Sequence, residues 1–531
     1  MAKHWQQVLI LLIFSLIGIK ALIHSGWYTS HDGEHQLVRQ YIFDRGAKAG
    51  HIPPRIDRQL LNGLGYPLMT FTYQAPFILG EPFRLLGIST QDTVKLVFIL
   101  SFFASGLAMY LFAGLLPAIM YLWAPYRFSV IYVRASLGEH LAFVFLPLIL
   151  WSLNNKFITQ KKRLIIGSLS LAGLLLSHLM TAQIFLPLII LYALYQLITA
   201  KNKRLVAGTY CLMAILGLGL SGYYLLPALV HRSAIQGLNR HFYTEHFPTL
   251  KQIIYSRWDY GFSQIGTAND GMSFQLGIAH WLIIALAIFI SLKKFSLRNS
   301  VFIISFILAI FMSLPISTNL WDYFIRRQSW FIIDIPWRWL GLATASTAIL
   351  AGSVLSRAKN LIKLVFLGLV LSLVIYGNRN HLRVNEYVNY PDERLASFRG
   401  SGTSYDEYQS AYAKESMVKG PALKPVEVRS GAAQINIGTS LPHQLIFTTQ
   451  VSNTAQLQIN TVYFPGWTLN INNQLQDIES TLTEGVPRIT LRPGTYTVSL
   501  VYRQTPVMQL GNIITLISLI ALVFIWQQKA K

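Results

Sequence analysis

Apolar runs long enough to cross a bilayer recur along this chain from residue 7 to residue 526, and they leave one architecture open. Hydrocarbon offers no water to a free backbone N–H or C=O. Each run must therefore close its hydrogen bonds internally, as an α-helix of roughly 20 residues does. Length and charged flanks predict about twelve spans, near 7–24, 93–113, 114–126, 141–153, 164–182, 183–200, 205–227, 276–292, 300–317, 339–356, 361–377 and 508–526. The third and fourth are short, and the run from Val94 to Pro125 has no charged break in its middle. Only 12% of the residues are charged, against about 25% in soluble domains. The expected fold is a polytopic α-helical membrane protein.

The net charge of +22 suggests nucleic acid until its location is read. Lys156, Lys161, Lys162 and Arg163 share one connection, and Lys201, Lys203 and Arg204 the next on that side. Lys293, Lys294 and Arg298 follow, then Arg357, Lys359 and Lys363, and finally Lys529 and Lys531, with no acid among them. The first long loop balances acids and bases instead. Basic loops stay cytoplasmic, so both termini are expected there, with the first loop and the C-terminal segment outside. The excess is topology plus attraction to anionic membrane lipids; no nucleic-acid partner is expected. The first apolar segment reads as a retained anchor, with Trp27 and Tyr28 in an interfacial belt. Cys211 lies inside an apolar span and reads as a small core residue.

Three regions are predicted. Residues 1–376 form the membrane body, with long outer loops at 25–92, 231–272 and 319–339. Residues 377–504 lose the apolar runs and gain alternation, as in Gln456-Leu457-Gln458-Ile459 and Thr495-Tyr496-Thr497-Val498-Ser499-Leu500-Val501-Tyr502, the period of half-buried strands. Pro465-Gly466 and Pro493-Gly494 punctuate them. This region reads as an antiparallel, β-sandwich-like domain outside the membrane, in which 399–418 is a loop. Residues 505–531 are the last span and a cytoplasmic tail.

Behind the first span stands His31-Asp32-Gly33-Glu34-His35. Ionisable groups at a bilayer surface are costly to dehydrate, so such a cluster marks a candidate site. Three readings stay open. Asp32 can cap a helix that carries Glu34 in its first turn. His31 and His35, four apart on one helical face, can join Asp32 or Glu34 on a divalent metal, magnesium or manganese. Asp32 can instead act as a general base.

Downstream come Pro53-Pro54-Arg55, Gly63-Leu64-Gly65-Tyr66-Pro67, the stretch from Tyr132 through Arg134 to His140, Pro336-Trp337-Arg338 and Tyr463-Phe464-Pro465-Gly466-Trp467. In their order the chain resembles a bacterial polytopic family catalogued as "membrane protein, 6-pyruvoyl-tetrahydropterin synthase-related", itself related to the YfhO-like membrane proteins. Such proteins look like GT-C superfamily glycosyltransferases. The resemblance implies a bacterial cytoplasmic membrane, a polyprenyl-phosphate-linked sugar donor, an outward-facing site and a glycan, lipid or protein acceptor. It puts Asp32 in the catalytic position.

Arg338 and Arg134 are candidates for the departing phosphate, since guanidinium fits phosphate bidentately. Arg134 paired with Glu139 is the plainer alternative. Arg39 is either a donor-binding cation or the ion-pair partner of Asp32 or Glu34. Trp337 and Trp467 are candidate sugar contacts, with an aromatic belt and a β-domain core as their respective alternatives. No P-loop, dinucleotide fingerprint, nucleophile elbow or zincin motif occurs. The expected function is an inverting glycosyltransferase; a secondary transporter or lipid flippase and a non-catalytic envelope-assembly scaffold are its rivals. Transporters gather ionisable groups near the bilayer midplane, whereas here they gather in the loops.

Overall fold

The structure, a computed structural model, describes residues 2–154, 159–237, 240–262, 271–328, 330–357, 359–414 and 424–528; Lys156, Lys529 and Lys531 lie outside them. Among the described residues, six helices are long and apolar enough to cross a membrane: Thr90–Ala113, Leu179–Thr199, Lys203–Leu220, Pro336–Ser356, Leu361–Asn378 and Pro506–Gln527. A seventh span results if Leu297–Ser313 and Pro315–Arg327, bent by 84°, count as one. His4–Gly18, Leu137–Leu153 and Ile278–Lys293 are apolar but shorter. By length and composition this is fewer than the dozen expected.

Residues 114–136 show why the sequence reads ambiguously there. Gly114, at φ +96°, turns the chain back after Thr90–Ala113. The returning Leu115–Leu122 helix stops at Ala124, which is extended as pre-proline sterics favour. Pro125–Phe128 and a π-turn over Ser129–Val133 complete the broken segment. Nearly every side chain from Leu116 to His140 is buried, so the irregular backbone is shielded by protein. By contrast Leu361, Ile362, Leu364 and Val365 are exposed on their helix, an apolar surface suited to lipid. Cys211, expected in a core, is likewise exposed on Lys203–Leu220.

The last helix crosses its neighbours through small residues. A Cβ on Gly511 stands 2.6 Å from the Gly222 carbonyl oxygen, and one on Gly219 meets the Ser518 hydroxyl. Such close approach suits helices that lack a hydrophobic drive between them. Gly511→Ala is therefore expected to lower unfolding free energy by about 1–3 kcal/mol, as overpacking does, in denaturant titrations of the detergent-solubilised protein.

The C-terminal sheet is antiparallel. Numbering all strands in chain order, β1 is Trp27–Tyr28, β2 Tyr387–Val388, β3 Val426–Leu441, β4 Gln444–Ile459, β5 Trp467–Ile471, β6 Gln474–Gln476, β7 Leu482–Thr483, β8 Val486–Leu491 and β9 Gly494–Tyr502. The path runs β6-β5-β9-β4-β8-β7, with β3 on the other edge of β4. By strand pairing it is one connected sheet. Sixteen-residue β4 is long enough to pair β9 with its first half (Leu445↔Leu500, Phe447↔Val498) and β8 with its second (Leu457↔Ile489). The alternation read from 495–502 appears as Val498, Leu500 and Tyr502 turned inward.

The sheet begins only at Val426. Residues 377–414 lie on the first loop instead. β2 pairs with β1, Asp392 holds Arg84 at 2.7 Å, the Gly400 carbonyl accepts from the Leu61 N–H, and the Tyr66 hydroxyl bonds Thr403 and the Tyr408 N–H. The first loop also joins the sheet through Arg58 N–H to the Pro442 carbonyl and Val462 N–H to the Leu64 carbonyl.

Candidate functional site

Asp32 reaches its place through the backbone. The His31 and Asp32 N–H groups donate to the Val133 and Arg134 carbonyls at 3.0 and 2.9 Å, laying this segment along the end of the π-turn. There the Arg134 N–H reaches back five residues to Ser129, and Ala135 sits at φ +52°, a conformation non-glycine residues seldom adopt. π-turns and left-handed residues recur at functional sites. Together they bring Arg134 beside Glu139, in the first turn of the Leu137–Leu153 helix.

A buried ionic network results. Arg134 Nη1 and Arg338 Nη1 donate to Glu139 Oε2 at 2.6 and 2.9 Å, while the Tyr126 hydroxyl donates to Glu139 Oε1. Arg338 Nε and Nη2 clasp Asp334 at 2.7 and 3.2 Å. Below them lies the Trp337 ring, its centroid 4.6 Å from the Arg134 guanidinium carbon and 5.5 Å from that of Arg338. The Glu139 side chain is 2% exposed. A carboxylate dehydrated to that degree needs two such partners.

Asp32 stands apart from this clasp. It occupies the N-cap of the Gly33–Lys48 helix, yet its side chain makes no capping bond. Its nearest cation is Arg134 Nη2, 3.9 Å from Oδ2, and the side chain is 30% exposed. Tyr405, in the 398–413 segment, lies within its electrostatic reach: burial and the carboxylates of Asp334, Asp32 and Glu407 raise the tyrosine hydroxyl's pKa. The site is thus an open carboxylate beside an arginine whose orientation a second carboxylate determines.

The remaining candidates divide. Arg338 is not free for a phosphate, because Glu139 and Asp334 already occupy it; Arg134 gives Nη1 to Glu139 and turns Nη2 toward Asp32. Arg39 pairs with neither Asp32 nor Glu34. It bonds neutral oxygens, the Gly402 carbonyl at 3.1 Å and the Tyr73 hydroxyl at 3.4 Å. Glu34 is 42% exposed and reaches Arg394 at 3.8 Å. His31 turns to the Tyr260 carbonyl at 3.2 Å and stacks on Phe262. His31, Glu34 and His35 therefore do not converge, and among the described residues no group of three His, Cys, Asp or Glu is placed to hold a metal ion. The residues do not fit magnesium or manganese. Trp337 is 2% exposed beneath the guanidiniums, and Trp467 is 3% exposed, edge-on to Tyr502 at 5.3 Å. Both are interior rings with no face open to a sugar.

Sequence reasoning passed over Tyr405 and the segment around it, whose polar, unperiodic run reads as a plain loop. Asp334 had a signal in its spacing, four residues before Arg338 in the same loop.

Burial lowers the pKa of three loop histidines: His35 to about 4, with help from Arg39; His51 to about 3, with help from His443; and His381 to about 4, with help from Arg379. Each folded value lies below the ordinary 6.5, so between about pH 6.5 and 4 the unfolded chain binds more protons than the folded one. Stability contributed by these neutral rings is complete above pH 6.5 and is lost as pH falls. The melting temperature is expected to drop from pH 7 to pH 5, and His381→Gln is expected to flatten that profile in a thermal-unfolding series.

No family model matches the chain. A curated protein of Lactococcus lactis subsp. cremoris (strain MG1363), described as "Uncharacterized protein", is 23% identical over 243 residues, 43% of this chain and 40% of its own length. Two solved structures resemble the fold at a TM-score of 0.39. One is arabinofuranosyltransferase AftD from Mycobacteria, at 14% identity over 69% of this chain and 26% of that one. The other is the Archaeoglobus fulgidus oligosaccharyltransferase in its apo form, at 12% identity over 75% of this chain and 57% of that one. The chain spans less than two thirds of the length of each of these three proteins.

Proposed function

We propose that the chain is a membrane glycosyltransferase of the GT-C kind, moving a sugar from a polyprenyl-phosphate carrier to a glycan, lipid or protein acceptor on the non-cytoplasmic side, with inversion. The observation that carries the reading is Asp32 itself. It is a part-exposed carboxylate with neither a capping bond nor a short ion pair, beside the oriented Arg134. Asp32 takes the proton of the acceptor hydroxyl as that oxygen attacks the anomeric carbon. The bond from this carbon to the phosphate oxygen breaks, and its electron pair leaves with the polyprenyl phosphate. Arg134 Nη2, 3.9 Å from Asp32, and Arg39, which bonds neutral oxygens, receive that charge. Arg338 is a positioning residue that acts through Glu139. No step passes through a metal.

The test is mass analysis of lipid-linked sugars in cells with and without the chain. A lipid-linked sugar that accumulates in its absence and clears on its return is expected. Identical profiles overturn the reading.

A further inference from the structure

Away from Asp32, the first loop, the Gly222–Val230 helix and the turn joining β3 to β4 meet in a cluster of basic and hydroxyl groups, where among the described residues Arg55 makes no ion pair. Arg55, the last residue of Pro53-Pro54-Arg55, is 1% exposed. Its Nη2 donates to the Tyr223 carbonyl at 2.6 Å, and its guanidinium carbon lies 5.8 Å from the Tyr223 ring centroid. Its Nη1 is buried with no hydrogen-bond partner. The groups acting on its charge are tyrosines 502, 223 and 224, with no carboxylate among them. Beside it the His51 ring lies 4.9 Å from that of His443 and 5.7 Å from that of Tyr502. His51 Nδ1, His443 Nδ1 and the Tyr223 hydroxyl are also buried without a partner. Asp57, the carboxylate felt by His443, is engaged by Arg45, whose Nε donates at 3.1 Å.

A guanidinium held out of water without an anion is strongly disfavoured, and buried polar atoms are nearly always bonded. We propose that this cluster binds a phosphate-type anion, gripped by Arg55 and completed by His51, His443 and Tyr223. Imidazole and phenol N–H and O–H groups around one guanidinium supply several donors to a tetrahedral oxyanion. His443 is partly exposed. The cluster also lies where an apolar helix begins. Tyr502 precedes Thr505, the N-cap of Pro506–Gln527, and Thr505 bonds His231 Nε2 at 3.0 Å. Ile52, next to His51, is 70% exposed. Both a lipid headgroup and a free phosphate present the required chemistry at that level.

The experiment uses the purified full-length chain. One arm titrates inorganic phosphate by calorimetry against chloride at matched ionic strength. The other measures retained lipid by native mass spectrometry after exposure to phosphatidylcholine vesicles with or without phosphatidylglycerol. Binding in the first arm alone marks a soluble phosphate; binding in the second alone marks a headgroup; both sustain the proposal. Arg55→Gln, Tyr223→Phe and His443→Asn are each expected to weaken that binding about tenfold or more, as loss of a charge-assisted bond does. If Arg55→Gln fails to fold, the two milder variants carry the test. Failure of both probes to bind, or wild-type binding by Tyr223→Phe and His443→Asn, overturns the proposal.

Discussion

Asp32→Asn is expected to cut sugar transfer about 10²- to 10⁴-fold, the usual contribution of a positioned general base, while leaving expression and thermal unfolding near wild type. The substitution keeps the shape and removes the basicity. Because the Asp32 side chain makes no capping bond and approaches Arg134 no closer than 3.9 Å, little structure depends on its charge. The measurement is turnover of a lipid-linked sugar by membranes carrying each variant, beside a melting curve. A scaffold or a carrier predicts a different pattern, with Asp32→Asn behaving as wild type. Retained transfer with an unchanged melting curve removes Asp32 from the mechanism.

Glu139→Gln is expected to act in the opposite manner, on the fold first. Among the described residues Glu139 is the one carboxylate shared by Arg134 and Arg338, and Tyr126 donates to its other oxygen. The amide retains an acceptor but no charge, so two almost fully buried guanidiniums lose a common partner. Breaking a buried ion pair on one side costs about 3–5 kcal/mol. Denaturant unfolding in detergent should show a loss of this size. Transfer should fall as well, since Arg134 would be free to swing against Asp32. Asp334→Asn should cost less, because its side chain is 21% exposed and Arg338 keeps Glu139. Equal losses for the two variants would show that Glu139 is not the hub.

Much of this layout is legible in the chain. Unbroken apolar runs declare helices such as Leu179–Thr199 and Pro506–Gln527, and the alternation at 495–502 declares a strand with Val498 and Leu500 inside. Local signals also exist for each half of the ionic network: Arg134 and Glu139 are five apart, and Asp334 and Arg338 four apart. Their meeting is not legible, because Arg338 and Glu139 are 199 residues apart and no periodicity encodes such a contact. The metal reading failed for a similar reason. Spacing places His31 and His35 on one helical face, but the helix starts at Gly33, leaving His31 in the preceding turn and directed to Tyr260. Trp467 was ambiguous because a Pro-Gly turn sets it at the start of a strand without revealing which way the ring points; Tyr502 across the ladder draws it inward.

The segment from residue 398 to 413 has a consequence for biosynthesis. Asp32 is made ahead of Gly402, whose carbonyl receives Arg39, and of Tyr405, which follow it by more than 360 residues. Contacts that distant in sequence form slowly and late. A nascent chain therefore holds its first loop uncovered while the intervening residues are made, and the loop is open to non-native contacts over that interval.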